Sequence, residues 1–164
     1  MLETITSLII ILNASAIGLG VGSSTLAISS FLTALKDGVI DQSERSMLGV
    51  IYIVLRVAMI LILLTTVIIM WQRPEIFGNQ IGFFLTLIAI LYINAVCMTK
   101  HWIPSKIGPA VQAATWYTMG FLASINMFHL FTITLSNFII LYAIDLLVAL
   151  FLINKLVQHM SRTK

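Results

Sequence analysis

Polar residues in this chain are confined to short intervals between long apolar runs, and the length of those runs predicts its architecture. Crossing about 30 Å of hydrocarbon at 1.5 Å per residue takes roughly 20 mostly apolar residues. Windows of that kind, bounded by charge, Gly or Pro, fall at about 5–35, 46–71, 80–99, 109–134 and 138–158. None of them alternates in polarity as barrel strands of about ten residues do, so the runs read as helices. The expected fold class is all-α: a transmembrane bundle of five spans forming a single integral membrane domain over 1–164.

Composition sharpens this picture. Hydrophobic residues make up 60% of the chain and Asp, Glu, Lys and Arg only 9%, more apolar surface than a soluble domain of this size can bury. Lys36 and Arg45 follow the first run, Lys100 and Lys106 the third, and Lys155, Arg162 and Lys164 the fifth, whereas the other side holds Arg73 alone. The positive-inside rule therefore predicts an outward N-terminus and a cytoplasmic C-terminus. The net charge of +3 is accounted for by orientation and by anionic head groups, so no nucleic-acid partner is implied. Ala14-Ser15-Ala16 has small-residue cleavage chemistry, but Glu3 replaces the basic flank of a secretory signal, so no cleavage is expected. A single Cys97 excludes an intrachain disulfide.

Inside the spans, small and polar residues mark the positions with something to do. Ala14, Gly18 and Gly22 recur every four residues in the first run, with Ser23 and Thr25 beside them, a face that permits close helix packing or lines a substrate path. The first run is long enough to tilt, project or break near Gly18–Gly22. Its glycines are not a nucleotide fingerprint, because no strand precedes them. Arg56 lies well inside the second run and Asp145 near the middle of the fifth. Each is costly alone in hydrocarbon, and rise per residue puts their backbones at roughly 15 and 20 Å from the same end, so an ion pair between them is expected. Such a pair would fix helix packing or serve transport.

Three weaker patterns concern metals. Asn94, Cys97 and His101 share a helical face if the third span continues, with Met98 adjacent, which suits Cu(I) or Zn. His129 near the outer end of the fourth span could ligate haem only by pairing with a second copy. Asp37, Asp41 and Glu44 match the last part of an EF-hand loop, but Thr33 and Leu35 stand where its first acidic ligands belong. The simpler expectation is that Asp41 or Ser43 caps the second helix with Glu44 in its first turn. Nothing supplies a nucleophile beside a base, or paired carboxylates at one depth, so neither an enzyme nor a cofactor is expected.

Gly20-x-Gly22-x-Ser24-Thr25, Phe31-x4-Lys36-Asp37-Gly38-x-Ile40-x3-Glu44, Ile93-Asn94 and Thr115-Trp116-Tyr117 together resemble a family of small bacterial inner-membrane proteins of five spans with no assigned activity. The resemblance implies location and no reaction. The resulting expectation is a non-enzymatic packing or scaffold subunit in the bilayer, in a homo-oligomer or with other membrane subunits. The alternatives are a small ion or solute permease using the first helix with Arg56 and Asp145, or a redox protein holding metal or haem.

Overall fold

The computed structural model describes residues 2–35, 41–104, 107–128 and 130–162, and all regular structure among them is helical. The helices are α1 (Leu2–Leu35), α2 (Gln42–Gln72), α3 (Ile81–Thr99), α4 (Ile107–Met127) and α5 (Leu135–Arg162). Two single-turn 3-10 segments, Pro74–Ile76 and Gly78–Gln80, join α2 to α3. By length and composition four segments can cross a membrane: Glu3–Ser30, Gln42–Gln72, Gly78–Thr99 and Leu135–Lys155. The fourth expected span becomes α4, which ends at Met127 rather than near residue 134 and carries Gln112, Thr115, Thr118, Ser124 and Asn126 among its apolar residues. Those polar groups keep it below the apolarity of the other four.

Helix ends follow local chemistry. A capping box opens α2: the Asp41 carboxylate accepts the Glu44 N–H at 2.7 Å, and the Glu44 carboxylate accepts the Asp41 N–H at 3.1 Å. Two donors that the helix cannot satisfy itself are thereby paired. Pro74 stops α2 just past its Arg73 cap. Arg73 also pairs with Glu75, which holds that carboxyl below the usual carboxylate range, but both side chains are solvent-exposed and the pair adds little stability. Pro109 is the third residue of α4, where the missing N–H has no intrahelical acceptor to lose. Thr134 caps α5 by accepting the Asn137 N–H on its hydroxyl at 3.3 Å.

Packing is led by α1 and α4. α1 lies along α2 and also meets α4 and α5, while α4 is flanked by α1, α3 and α5. α1 and α2 run antiparallel, as their cross-bonds show: Thr6 with Gln72 near one end of the pair and Asn13 with Thr65 and Thr66 further in. Along the α3/α4 pair, Asn94 bonds to the Gly108 carbonyl at one end, and Asn126 bonds to the Ile76 carbonyl at the other. α1 continues unbroken through Gly18–Gly22 for 34 residues, about 51 Å, so it is neither unwound nor short enough to stand upright within one hydrocarbon layer.

Outward faces are as apolar as the interior. Ile53, Val57, Ile60, Leu64 and Val67 form an exposed stripe at helical spacing on α2, and Ile140, Ile144, Leu147 and Phe151 form another on α5. Such surface is stable only against lipid or another apolar protein face. Inside, the indole of Trp116 is fully buried against α1, and a Cβ on Gly20 would overlap its ring. Gly20 is thus the notch that lets α4 approach.

Gly20→Ala should lower the apparent Tm in detergent by several degrees, because displacing a fully buried indole costs on the order of 1–3 kcal/mol. Gly82→Ala, on α3 with open space around it, should leave the Tm unchanged or raise it slightly when both are measured by thermal unfolding.

Candidate functional site

Intramembrane charges are the strongest site signal, and the structure separates the two that were expected to pair. Asp145 faces α4, where the Thr118 hydroxyl donates to its carboxylate at 2.6 Å. One turn away Tyr142 and Thr115 place their hydroxyls 3.3 Å apart, while the Thr115 hydroxyl lies 2.7 Å from the Val111 carbonyl. Arg56 is exposed on the lipid-facing side of α2, beside Val57 and Ile60. The physical reason for the separation is rotational. α5 packs on α4 and α1, α2 packs on α1 and α3, and equal depth cannot bring two charges together across an intervening helix. Among the described residues the ion pair is Arg73–Glu75.

Arg56 instead lines a lateral groove of about 410 Å³ between α2 and α3, with Lys100 and Thr99 at its upper rim and Met59, Ile60 and Val96 along it. α2 and α3 pack only lightly, bridged by Tyr92, whose hydroxyl donates to the Met59 carbonyl at 3.1 Å. A guanidinium left in hydrocarbon costs at least about 2.5–3.5 kcal/mol, so Arg56 needs an anion or water within its reach.

The small-residue stripe of α1 divides in two. Ser23 is buried, and Thr25 hydrogen-bonds to Tyr117 of α4 at 2.7 Å, so these two belong to internal packing. Ala14, Gly18 and Gly22 are exposed, and a Cβ at Gly18 or Gly22 would meet nothing within 4 Å. Close packing inside the chain falls instead to Gly20. The Ser24 hydroxyl, buried without a partner among the described residues, borders a cavity of about 10 Å³ shared with Tyr52 and Gln112, which is water-sized.

The face proposed for soft metal is interrupted. α3 ends at Thr99 and closes in a Schellman turn: His101 takes a left-handed φ of 56°, its N–H donates to the Met98 carbonyl at 3.2 Å, and the Trp102 N–H donates to the Cys97 carbonyl at 2.9 Å. His101 therefore leaves the helical register that would align it with Asn94 and Cys97. Asn94 is spent on the Gly108 carbonyl at 2.9 Å. Among the described residues no three His, Cys, Asp or Glu side chains gather as a metal site. Asp41 and Glu44 are engaged with each other in the α2 cap, and Asp37 and His129 lie outside the described residues.

The most enclosed polar cluster was not foreseen. The Asn13 amide donates to the hydroxyls of Thr65 at 2.9 Å and Thr66 at 3.1 Å, and Thr65 in turn donates to the Leu61 carbonyl at 2.6 Å. All three side chains are buried. A lone Asn and a Thr-Thr pair inside otherwise apolar runs was the available signal, since hydrocarbon forces such groups to find partners. No family model matches the chain, and no curated protein or solved structure compared with it is significantly similar.

Double-mutant cycles should separate these contacts. Thr118→Val with Asp145→Asn should show a coupling of about 0.5–3 kcal/mol, whereas Arg56→Gln with Asp145→Asn should be additive within about 0.5 kcal/mol, read from unfolding in detergent.

Proposed function

We propose that this chain is a non-enzymatic five-span protein of the bacterial inner membrane, N-terminus outward, that acts as a packing subunit in a homo-oligomer through the exposed face of α1. The observation that carries the oligomer is the stripe Ala14, Gly18 and Gly22, which is exposed, with open space around both glycines. Small residues at four-residue spacing allow two helix backbones to approach closely, and one such stripe is complementary to its own copy about a two-fold axis. Use of this face as a permeation path has less support, because Asp145 and Arg56 lie apart and Asp145, Asn13 and Thr25 are each engaged by a side chain of a neighbouring helix.

Support for the fifth crossing comes from α4. Its 21 residues span about 31 Å, contain no Asp, Glu, Lys or Arg, and run antiparallel to α3 from the Gly108 end to the Asn126 end. A helix lying alongside two candidate spans over that height crosses with them. Arg45, Lys100 and Lys155 then share one side, which the positive-inside rule makes cytoplasmic, and Glu3, Arg73 and Glu75 share the other.

Gly18→Leu with Gly22→Leu should convert the assembly to monomer in mild detergent, read by light scattering, without lowering the Tm of the monomer. A wild-type chain that is already monomeric in detergent and in nanodiscs would sink the oligomer. For topology, single cysteines in a Cys97→Ala background should label from outside at Glu3→Cys and Glu75→Cys, and only after permeabilisation at Asp41→Cys and Asn154→Cys. Outside labelling of Asn154→Cys would leave four crossings.

A further inference from the structure

Among the described residues, the groove between α2 and α3 is lined by two cations and no acid. Arg56 and Lys100 both line it, its remaining lining is apolar apart from Thr99 and Tyr92, and neither cation has a hydrogen bond or ion pair among the described residues. Lys100 caps the C-terminus of α3, where basic side chains ordinarily serve the last carbonyls, and Arg56 reaches toward the same end from the middle of α2. Here those carbonyls are already taken. The Thr99 hydroxyl donates to the Ala95 carbonyl at 2.8 Å, the Lys100 N–H to Val96 at 2.9 Å, the Trp102 N–H to Cys97 at 2.9 Å and the His101 N–H to Met98 at 3.2 Å. The α3 terminus is thus closed by its own turn, and the two positive side chains remain available.

Depth and chemistry point to one occupant. Tyr92 meets Met59, so three residues further along these oppositely directed helices Arg56 comes about level with Ala95, roughly 7 Å short of Lys100, a distance an arginine side chain covers by reaching toward the interface. Deeper than Arg56, Met59 and Ile60 provide an apolar wall, and Val96 continues it on α3 between the levels of the two cations; Ile60 and Val96 are more than half exposed. A ligand that fits has a phosphate at interfacial depth and a hydrocarbon chain beneath it. We propose that this groove is a binding site for an anionic phospholipid, its phosphate held between Arg56 and Lys100 and one acyl chain lying against Met59, Ile60 and Val96. Two cations without an acidic neighbour favour a head group carrying no ammonium, since a zwitterion would bring its positive end to the same place. Arg56, and not Lys100 alone, sets the specificity: its planar fork accepts two phosphate oxygens at once, whereas Lys100 acts as a point charge near the rim. The site does not depend on the oligomer, because it uses no residue of the exposed α1 face.

The test is binding of phosphatidylglycerol to the purified full chain in mild detergent, followed by native mass spectrometry and by thermal unfolding. Phosphatidylglycerol should remain bound at low stoichiometry and raise the Tm, phosphatidylcholine should do neither, and inorganic phosphate or glycerol phosphate should have no effect at the same concentration. Arg56→Gln with Lys100→Gln should weaken retention at least tenfold, Arg56→Lys less so. Arg45→Gln with Lys155→Gln, which removes equal charge outside the groove, should leave it unchanged. Equal retention by the groove variant and the wild type, equal stabilisation by phosphatidylcholine, or a full effect from glycerol phosphate would overturn the proposal. On the unmutated chain, phosphatidylglycerol bearing a diazirine in its acyl chain should crosslink to α2 and α3 around Met59, Ile60 and Val96. Labelling spread evenly over the α2 and α5 outer faces would overturn it without reference to any variant's folding.

Discussion

The bundle depends on α1 reaching two neighbours at once. Toward α2 it offers Asn13, whose amide is shared between Thr65 and Thr66 in a water-excluded contact, and toward α4 it offers Gly20, where the absence of a side chain makes room for Trp116. Between lipid-solvated helices the hydrophobic effect supplies no net drive, so association rests on close packing and on polar groups that have no other outlet. Asn13 and Gly20 supply one of each, about two turns apart on the same helix. With α1 fixed on both, α4 is held between α1, α3 and α5, and the positions of Asp145 and of the α2/α3 groove follow from that.

Much of this was readable from the chain. Helix count and approximate bounds came from run length, because hydrocarbon thickness is a physical ruler, and the α2 start came from Asp41 and Glu44, whose side chains make the expected cap. What could not be read was rotation about each helix axis. In a soluble bundle the apolar stripe announces the buried face, but here lipid and core are equally apolar and the stripe carries no such information. The Arg56–Asp145 expectation failed for that reason: depth came from counting residues, while azimuth did not. The same blindness put forward Ala14, Gly18 and Gly22 as the face for close packing and passed over Gly20, the one of these α1 glycines packed inside the chain. His101 failed differently, through a left-handed turn at a non-glycine residue that ended α3 before the metal-ligand face was complete.

Polar residues in the bilayer also divide by what satisfies them. Asp145 and Asn13 have protein partners on adjacent helices, whereas Arg56 has none among the described residues. The difference lies in side-chain length. A short carboxylate or amide near mid-membrane must be met by a neighbour, and its conformational options are few. An arginine can place its charge a helical turn or more from its own backbone, so the position of its Cα says little about where the charge resides. An unpaired arginine on a lipid-facing stripe is therefore compatible with a stable fold, provided its head group finds anion or water near the interface.

α4 shows how the apolarity of a helix depends on what surrounds it. Hydropathy along a helix reflects what its whole circumference contacts, and a helix enclosed on three sides by others presents little of itself to lipid. Trp116, Thr115 and Thr118 of α4 are fully buried, Thr118 serves Asp145, and the exposed positions include Tyr117, whose hydroxyl is bonded to Thr25. The polar atoms that lower its apolarity are in large part the ones that bond to its neighbours. Low hydropathy in α4 thus goes with its enclosure by α1, α3 and α5, whereas among the other helices hydropathy does not follow exposure, α2 being both the most apolar and the most buried of the four candidate spans.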